Sequence, residues 1–374
     1  MARRGRGEGT IRYRESDGRW EASVTLGSQR KSFYGKTRRE VTEKLRTAQR
    51  DYEQGQFIGD GRQTVEQYLT SWLETKRPPE VRRSTWETYD RRIRVHVLPI
   101  IGRIKLTQLS AQHIQQVTSR GLASGRSSST VSEAFGVLRE ALEDAVRLGL
   151  LAQNVADRAS RPRRDTPEMH PLTGEEAQAF LDAIQTHWLS PLFTLALSTG
   201  MRQGELLALR WREVDLQAQR LSVVATMTWE EGAPLYTEPK TRRSRRQIAL
   251  PPQMAERLRA LQHQQRVQRL AAGAAWQGDR FDAVFSDELG FPLQSARVRG
   301  QFYRALKRAG LPHIRFHDLR HTCATLLLKQ RVNPKIVSEL LGHATVSITL
   351  DLYSHVLPDM QQEAAEAMST ALGW

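Results

Sequence analysis

Cysteine and long apolar runs are scarce in this 374-residue chain. Cys323 is the sole cysteine, so no internal disulfide can form and no cysteine cluster is available for zinc or an iron–sulfur centre. Its apolar neighbours predict a small core residue. No segment approaches the about 18 uncharged apolar residues of a membrane-spanning helix. The basic start MARRGRGEGT has no apolar run behind it, which argues against a signal peptide. We therefore expect a soluble, intracellular protein.

Basic residues, by contrast, are abundant and unevenly distributed. The formal net charge is +15 and the pI is about 10.4. Residues 1–167 carry 32 Lys and Arg against 20 Asp and Glu, whereas residues 168–374 carry 24 against 21. This balance favours a polyanionic partner, most simply nucleic acid, although solubility alone also accounts for an excess of charge. We expect the N-terminal half to grip phosphates and the C-terminal half to have another task.

Residues 1–58 predict a small module of three strands and one helix. Apolar residues alternate with polar ones from Ile11 to Leu26, which is the period of half-buried strands, and a third strand is expected near Lys31–Tyr34. Thr37 and Glu40 then open a helical pattern. Basic strand residues are candidates for contacts in a DNA major groove, which admits a two-stranded ribbon, or for a merely solvated sheet face. These residues are Arg12, Arg14, Arg19, Arg30 and Lys31.

The remaining chain predicts two further domains. Residues 62–157 have helical spacing throughout and are interpreted as a four-helix domain, in which Arg82 and Arg83 close a basic, proline-containing loop and are candidate DNA contacts. The apolar stripe of its first helix is predicted to consist of Val65, Tyr68, Leu69, Trp72 and Leu73. Residues 158–170 predict a linker. Residues 171–374 predict a mostly helical domain that starts with a capping box at Thr173 and Glu176 and contains a small β insert over Leu221–Leu250. The insert includes strands at Leu221–Met227 and Arg246–Leu250, with Gly232, Pro234 and Pro239 in its turns. The predicted fold class is therefore multidomain and mainly α.

Two segments of the last domain place basic residues where they suit phosphate chemistry. In STGMRQGELL, Gly200 ends one helix and Arg202 lies at the start of the next, close to free backbone N–H groups, with Glu205 one turn on. A surface ion pair is the simpler explanation of Arg202 taken alone. In TEPKTRRSRR, Lys240 is expected at a hairpin tip, where it could donate a proton to a leaving oxygen. Neighbouring arginines are candidate DNA contacts: Arg242, Arg243 and Arg245. Arg246 belongs to the same basic cluster, for which simple attraction to phosphate is the plainer explanation.

Residues 317–356 concentrate further polar groups within amphipathic helices. His317 and His321 with Asp318 superficially match a zinc-binding H-E-x-x-H pattern, but Asp replaces Glu, no third ligand is evident and Arg320 would place positive charge beside the metal. We therefore expect no metal, and His321 is interpreted as a packed helix histidine. Tyr353 is a weak nucleophile unless cations and hydrogen-bond donors lower the barrier. A lone tyrosine in such a helix is usually a core residue.

Taken together, these motifs resemble the tyrosine recombinases, or phage integrases. The resemblance rests on Thr199-Gly200-Met201-Arg202 with Glu205, Lys240 after Pro239, His317-Asp318-Leu319-Arg320, Leu341-Gly342-His343, and Tyr353 ten residues after His343. Order and spacing agree over about 150 residues, with no departure at a catalytic position. Residues 1–58 are similar to the arm-type DNA-binding module of integrases, and residues 62–157 to their helical core-binding domain.

The resemblance implies a site-specific DNA recombinase of a mobile genetic element. Tyr353 would attack a DNA phosphate to form a 3′-phosphotyrosyl bond. Arg202 and Arg320 would hold the phosphate oxygens, and His317 and His343 would bond the phosphate, with His317 a candidate base. Lys240 would protonate the leaving 5′-oxygen and Glu205 would support the site. No cofactor or metal is implied.

The same resemblance implies a set of partners and leaves some alternatives open. We expect double-stranded DNA with core-type and arm-type sites, a homotetramer on that DNA, a possible accessory bending or directionality factor, and a cytoplasmic, nucleoid-associated location in a prokaryote. The C-terminal tail Gln361–Trp374 would dock on a neighbouring protomer or complete its own domain. The alternatives are a resolvase or type IB topoisomerase, and a non-catalytic DNA-binding protein of the same fold.

Overall fold

The computed structural model of the chain describes residues 9–26, 29–53, 62–163, 170–238, 244–343, 345–353, 365–366 and 368–374. It forms two compact units, residues 1–167 and residues 168–374. Within the described ranges the protein is mainly helical with small sheets, as the sequence predicts. No helix in these ranges is both long and apolar enough to cross a membrane.

The N-terminal segment forms an antiparallel three-stranded sheet and one helix. The strands lie in the order β1 (Thr10–Arg14), β2 (Arg19–Leu26) and β3 (Gln29–Gly35), and are followed by α1 (Arg38–Glu53). Alternate residues Ala22 and Val24 of β2 are buried against Val41 and Leu45 of α1. The predicted strands and helix are confirmed, and their core is small.

The second group of elements in this unit is helical. It comprises α2 (Val65–Thr75), α3 (Arg83–Arg92), α4 (Leu98–Ile101), α5 (Ala111–Ala123) and α6 (Ser128–Arg147). The predicted apolar stripe of α2 is entirely buried, and Trp72 of that stripe donates its indole N–H to Asp144 of α6 at 2.8 Å. Pro99 does not break the preceding helix, because a π-helical turn (Ile93–Val97) leads α3 into α4 and proline is tolerated in a first helical turn.

The second unit is built from nine helices within the described residues. They are α7 (Gly174–Ala183), α8 (Ser190–Thr199), α9 (Gln203–Leu207), α10 (Pro252–Ala272), α11 (Gly278–Phe281), α12 (Ser295–Arg308), α13 (Asp318–Lys329), α14 (Pro334–Leu341) and α15 (Val346–Tyr353). Thr173 and Glu176 form the predicted capping box at the start of α7. Phe180, Phe193 and Phe302 meet at centroid distances of 5.6 to 6.0 Å in the core of this unit. Cys323 is buried, as predicted.

The β insert differs in detail from the prediction. Strands β4 (Val214–Asp215), β5 (Arg220–Val223) and β8 (Arg246–Ala249) form one sheet, whereas β6 (Thr226–Glu230) and β7 (Ala233–Thr237) form a separate hairpin. The single strand predicted over Leu221–Met227 is therefore two strands in two sheets. Pro234 lies within β7 rather than in a turn, which a two-stranded hairpin permits because both of its strands are edges.

Two sequence predictions fall wholly or partly outside the described residues. Lys240 lies in the segment 239–243, and residues 361–364 and 367 of the predicted docking tail are not among the described residues. In the described part, β7 pairs with β6 and β8 pairs with β5, and the hairpin of β6 and β7 turns at Glu231–Gly232. The position of Lys240 stays a prediction.

Candidate active site

A short turn between α8 and α9 holds Arg202. Gly200 ends α8 in the left-handed region at φ 62°, and its N–H donates to the Ala196 carbonyl at 3.0 Å. Arg202 then takes an extended conformation as the N-cap residue of α9. Its backbone N–H donates to Glu205 Oε2 at 3.0 Å, and its Nη1 donates to Glu205 Oε1 at 2.8 Å. The carboxylate thus fixes both ends of the arginine, as the sequence spacing suggests.

Glu205 itself is buried and lies between two guanidinium groups. Besides Arg202, it accepts from Arg246 of β8, whose Nη2 lies 2.9 Å from Oε2 and whose Nη1 lies 3.3 Å from Oε1. Burial alone would raise the pKa of this carboxyl, but the hydrogen bond and charge of Arg246, aided by Arg202, outweigh burial and hold the pKa below its ordinary value. Glu205 is therefore a charged group that binds two arginines, and it is not a proton donor.

Arg320 on α13 contacts the same turn. Its side chain is buried, and Nη1 donates to the Gly200 carbonyl at 2.9 Å. A Cβ at position 200 would overlap Cδ2 of Leu341, whereas Cys323 Sγ at 3.5 Å and Arg320 Cγ at 3.6 Å would be ordinary contacts, so glycine fits this turn without a shift of Leu341. The structure thus brings Arg320 to within two residues of Arg202, although they are 118 positions apart in the sequence.

Two histidines lie at the start of α13. His317 is the N-cap residue, and its ring meets that of His321 edge-on, with centroids 5.0 Å apart. Burial, then the charges of Arg320 and Arg202, lower the pKa of His317, and burial lowers the pKa of His321 to about 4. Both rings are therefore neutral at pH 7, and His321 is the packed helix histidine that the sequence predicts.

The carboxylate of Asp318, which belongs to the zinc-like pattern, binds an arginine. This carboxylate accepts from the backbone N–H of Arg315 at 2.7 Å and from Arg315 Nη2 at 2.8 Å. In the part of the chain that the structure describes, no group of three or more His, Cys, Asp or Glu is arranged to hold a metal ion. The Arg315–Asp318 pair instead fixes the turn that carries His317.

His343 follows α14 directly. Gly342 ends that helix at φ 68°, and its carbonyl lies 3.4 Å from Arg202 Nη2. His343 Nδ1 lies 2.8 Å from the hydroxyl of Thr349, a buried residue of α15. Burial, followed by the charges of Arg320 and Arg202, lowers the pKa of His343 to about 4. A neutral imidazole, held through Nδ1, therefore faces the same pair of arginines as His317.

These contacts gather five of the seven predicted catalytic residues into one site. They are Arg202, Glu205, His317, Arg320 and His343. Tyr353 ends α15, the helix whose Thr349 contacts His343, but its side chain lies outside the described part. Lys240 also lies outside it. The described groups provide cationic N–H donors and neutral imidazoles around one small region, an arrangement suited to a phosphodiester.

The predicted DNA contacts of the N-terminal sheet mostly share one face. The strand register pairs Arg14 with Arg19 and Arg12 with Glu21, and places Arg30 opposite Thr25 in the same alternating row, away from α1. Lys31 pairs with Val24 in the register of β2 and β3, and its DNA contact stays a prediction. Its side chain lies outside the described part.

The other predicted DNA contacts occupy varied positions. Arg82 is the N-cap residue of α3, and Arg83 donates to Glu87 within α3 at 3.1 Å. Arg245 is half-exposed and pairs with the exposed Glu238 at 2.5 Å. Arg242 and Arg243 lie outside the described residues.

Two residues of the site were not predicted. Arg246 was grouped with its basic neighbours as a phosphate attractant, yet its guanidinium is buried on Glu205. A signal was present, because the period of two places Arg246 in the row of Ile248 and Leu250, which are buried. Thr349 carries no comparable sequence signal, since a threonine inside an apolar helix has many ordinary explanations.

Comparisons with known proteins agree with this geometry. Residues 170–360 match the model of the phage integrase family, and residues 64–120 match the phage integrase N-terminal SAM-like domain. The chain is 30% identical to a "Tyrosine recombinase XerC-like" protein of Caldanaerobacter subterraneus subsp. tengcongensis, with 94% of this chain and 95% of that protein covered. It is also 30% identical to an integrase of Streptomyces ambofaciens, with 98% and 97% covered.

Solved structures of integrases share the fold. The Tn1549 transposon integrase, solved with a circular intermediate DNA, superposes with a TM-score of 0.70 at 21% identity, covering 82% of this chain and 99% of that one. The lambda integrase tetramer bound to a Holliday junction gives a TM-score of 0.58 at 18% identity, covering 90% and 95%. The family match over more than half the chain and the full-length relatives together show that this protein belongs to the phage integrase family, the tyrosine recombinases, which cleave and rejoin DNA.

Proposed function

We propose that this protein is the site-specific recombinase, or integrase, of a mobile genetic element, and that it joins and exchanges DNA strands through a 3′-phosphotyrosyl intermediate. The observation that carries the proposal is the convergence of Arg202 and Arg320 with His317 and His343. A protein that only bound DNA would not need two neutral imidazoles and two guanidiniums at one turn.

In the proposed reaction, the Tyr353 hydroxyl attacks the phosphorus of a DNA phosphodiester. The tyrosine loses its proton, with His317 as the candidate acceptor, because its lowered pKa leaves the imidazole unprotonated at neutral pH. A P–O bond to tyrosine forms as the bond to the 5′-oxygen breaks, and Lys240 gives the leaving oxygen a proton. Attack by the 5′-hydroxyl of a second strand on the phosphotyrosine reverses these steps, so the phosphodiester energy is conserved.

Arg202 and Arg320 are proposed to bind the non-bridging oxygens of that phosphate. Charge accumulates on these oxygens in the transition state, and prearranged cationic donors stabilise it strongly. The Arg202 side chain is 38% exposed, whereas the Glu205 side chain that holds it is only 3% exposed. The buried Glu205 carboxylate thus supports Arg202, while part of the Arg202 side chain stays accessible to a ligand. His343 is proposed to donate a hydrogen bond to the phosphate, and Glu205 to support Arg202.

The domain organisation is proposed to follow the same division of tasks. Residues 1–58 would bind arm-type sites through Arg12, Arg14, Arg19 and Arg30, which share one sheet face. Residues 62–157 would bind the core site, with Arg82 and Arg83 among the phosphate contacts. Residues 158–170 would link this part to the catalytic domain, residues 171–374, where Arg242, Arg243 and Arg245 would add DNA contacts.

The proposed partners follow from strand exchange. Two duplexes exchanged at four strands require four protomers, and the related lambda integrase was solved as a tetramer on a Holliday junction. An accessory bending or directionality factor is a further proposed partner. Because its substrate is double-stranded DNA, we propose a cytoplasmic, nucleoid-associated location in a prokaryotic cell.

Covalent capture tests the proposal. The protein is incubated with fragmented source DNA, stripped with detergent and heat, and the attached DNA is sequenced. We expect attachment at one reproducible position and none with Tyr353→Phe, whose salt-sensitive DNA binding should persist. Attachment at many positions would favour a topoisomerase, and binding without attachment in the unaltered protein would favour a non-catalytic DNA-binding protein. Complete loss of attachment in EDTA would contradict the metal-free mechanism.

A further inference from the structure

Arg246 is the most enclosed cation at the site after Arg320. It begins β8, and its side chain is 6% exposed. The guanidinium makes hydrogen bonds to three different parts of the unit. Nε donates to the Leu340 carbonyl at 2.5 Å, Nη1 donates to the Ser244 carbonyl at 3.1 Å, and Nη2 donates to Glu205 at 2.9 Å. These directions use the planar fork that distinguishes arginine from lysine.

The three partners belong to elements that carry different catalytic groups. Glu205 holds Arg202 at the start of α9. Leu340 lies in the last turn of α14, three residues before His343. Ser244 directly follows the segment that contains Lys240. One guanidinium therefore links the carboxylate that holds Arg202, the end of the helix that precedes His343, and the residue that follows the Lys240 segment.

The charge at Glu205 gives Arg246 a second role. A buried carboxylate with a single cationic neighbour draws that neighbour into the strongest pair it can form. Here two guanidiniums share the carboxylate, so Arg202 is not its only source of positive charge. Arg202 thereby keeps a partly exposed guanidinium that can face a phosphate.

We infer that Arg246 is a positioning residue for strand cleavage, which releases Arg202 for the DNA phosphate by sharing the charge of Glu205 and which ties the end of α14 to β8. This inference rests on the proposed function. It assigns to Arg246 no direct contact with DNA, in contrast to the simple phosphate attraction expected from the sequence.

Single-turnover formation of the covalent complex on a suicide core-site duplex provides the test, with the site identified by covalent capture. At saturating DNA, Arg246→Gln should slow covalent-complex formation by about 10–100-fold, the loss expected when a reacting group is displaced by about 1 Å. The DNA concentration giving half the maximal rate should change less than about twofold, since Arg246 is buried away from DNA. A residue needed only to bind DNA would show the opposite pattern.

A double variant separates charge sharing from a general loss of structure. In Glu205→Gln/Arg246→Gln, the amide oxygen at position 205 can still accept a hydrogen bond from Arg202, but no carboxylate charge remains to capture the guanidinium, so cleavage should be faster than in Arg246→Gln alone. Arg269→Gln is the matched control, because it removes an exposed pair with Asp279 at 2.9 Å and should leave the rate unchanged. Thermal melts followed by circular dichroism establish a temperature at which all variants are folded.

The outcomes are distinct. If the unaltered protein forms the covalent complex and Arg246→Gln forms it at an unchanged rate, the inference is overturned while the proposed function stands. A double variant no faster than Arg246→Gln would also overturn charge sharing. If the unaltered protein forms no complex on any captured or supplied DNA, the proposed function fails, and the inference fails with it.

Discussion

Substitution of Gly200 by alanine should destabilise the catalytic unit more than alanine at a comparable glycine elsewhere. Gly200 has φ 62° and ends α8, and Gly310 has φ 68° and follows α12. A Cβ at position 200 would overlap Cδ2 of Leu341, which is fully buried, whereas nothing lies within 4 Å of a Cβ at position 310. The pair therefore separates packing from backbone strain.

The magnitudes follow from these two terms. A left-handed conformation costs a non-glycine residue roughly 1–2 kcal/mol, and both variants incur that cost. Forcing an extra carbon into a packed core costs about 1–3 kcal/mol, and only Gly200→Ala incurs that cost. Gly200→Ala should thus lose about 2 kcal/mol more than Gly310→Ala, which is about 4–8 °C in Tm for a unit of this size.

Thermal and urea unfolding of the full-length variants, followed by circular dichroism, measure the difference. Gly200→Ala should also slow covalent-complex formation, because the Gly200 carbonyl accepts from Arg320. Gly310→Ala should cleave at the unaltered rate at a temperature where it is folded. Equal destabilisation by the two substitutions would refute the packing argument and would mean that Leu341 moves aside without cost.

Three further predictions concern other groups. Burial lowers the pKa of His321 from 6.5 to about 4. The stability contributed by its neutral ring is therefore complete above about pH 6.5 and is lost as the pH falls toward 4. The urea midpoint of unfolding should decline across that range, and it should decline less steeply in His321→Gln. Thr349→Val removes the hydroxyl that holds His343 and should slow covalent-complex formation about tenfold. Thr349→Ser keeps the hydroxyl and should retain most of the rate. Equal rates in the two variants would contradict the role of the hydroxyl. Trp72→Phe removes the hydrogen bond to Asp144 and should lower the free energy of unfolding of the N-terminal unit by about 1 kcal/mol, measured in urea; an unchanged midpoint would contradict that contribution.

The sequence predicted those parts of the fold that depend on local periodicity. The alternation around Ala22 and Val24 predicted the buried face of β2, and the helical spacing from Val65 to Leu73 predicted the buried stripe of α2. Both patterns are read within one element, where side-chain direction is fixed by the backbone period. The motifs around Arg202, His317 and His343 likewise predicted groups that the fold brings together.

Predictions that depended on pairing between distant segments were less successful. The run from Leu221 to Met227 is mostly apolar and contains the β-branched residues Val223, Val224 and Thr226, yet it divides between two sheets. Pro234 is a turn former in most contexts, and only the edge position of β7 makes it acceptable in a strand. Arg246 is one of several neighbouring arginines, and its burial depends on Glu205, 41 residues away. Such pairings depend on tertiary contacts, which the local sequence pattern does not specify.

The lowered histidine pKa values have a consequence for how the site meets a phosphate. With His317 and His343 neutral, the positive charge in the described part of the site belongs to guanidiniums, which stay protonated throughout the physiological pH range. The electrostatic attraction for DNA is then constant while the imidazoles remain free to accept or donate single protons. Attraction and proton transfer are assigned to separate side chains, so acidification to the lowered pKa values of the imidazoles would alter proton transfer without removing the charge that attracts DNA.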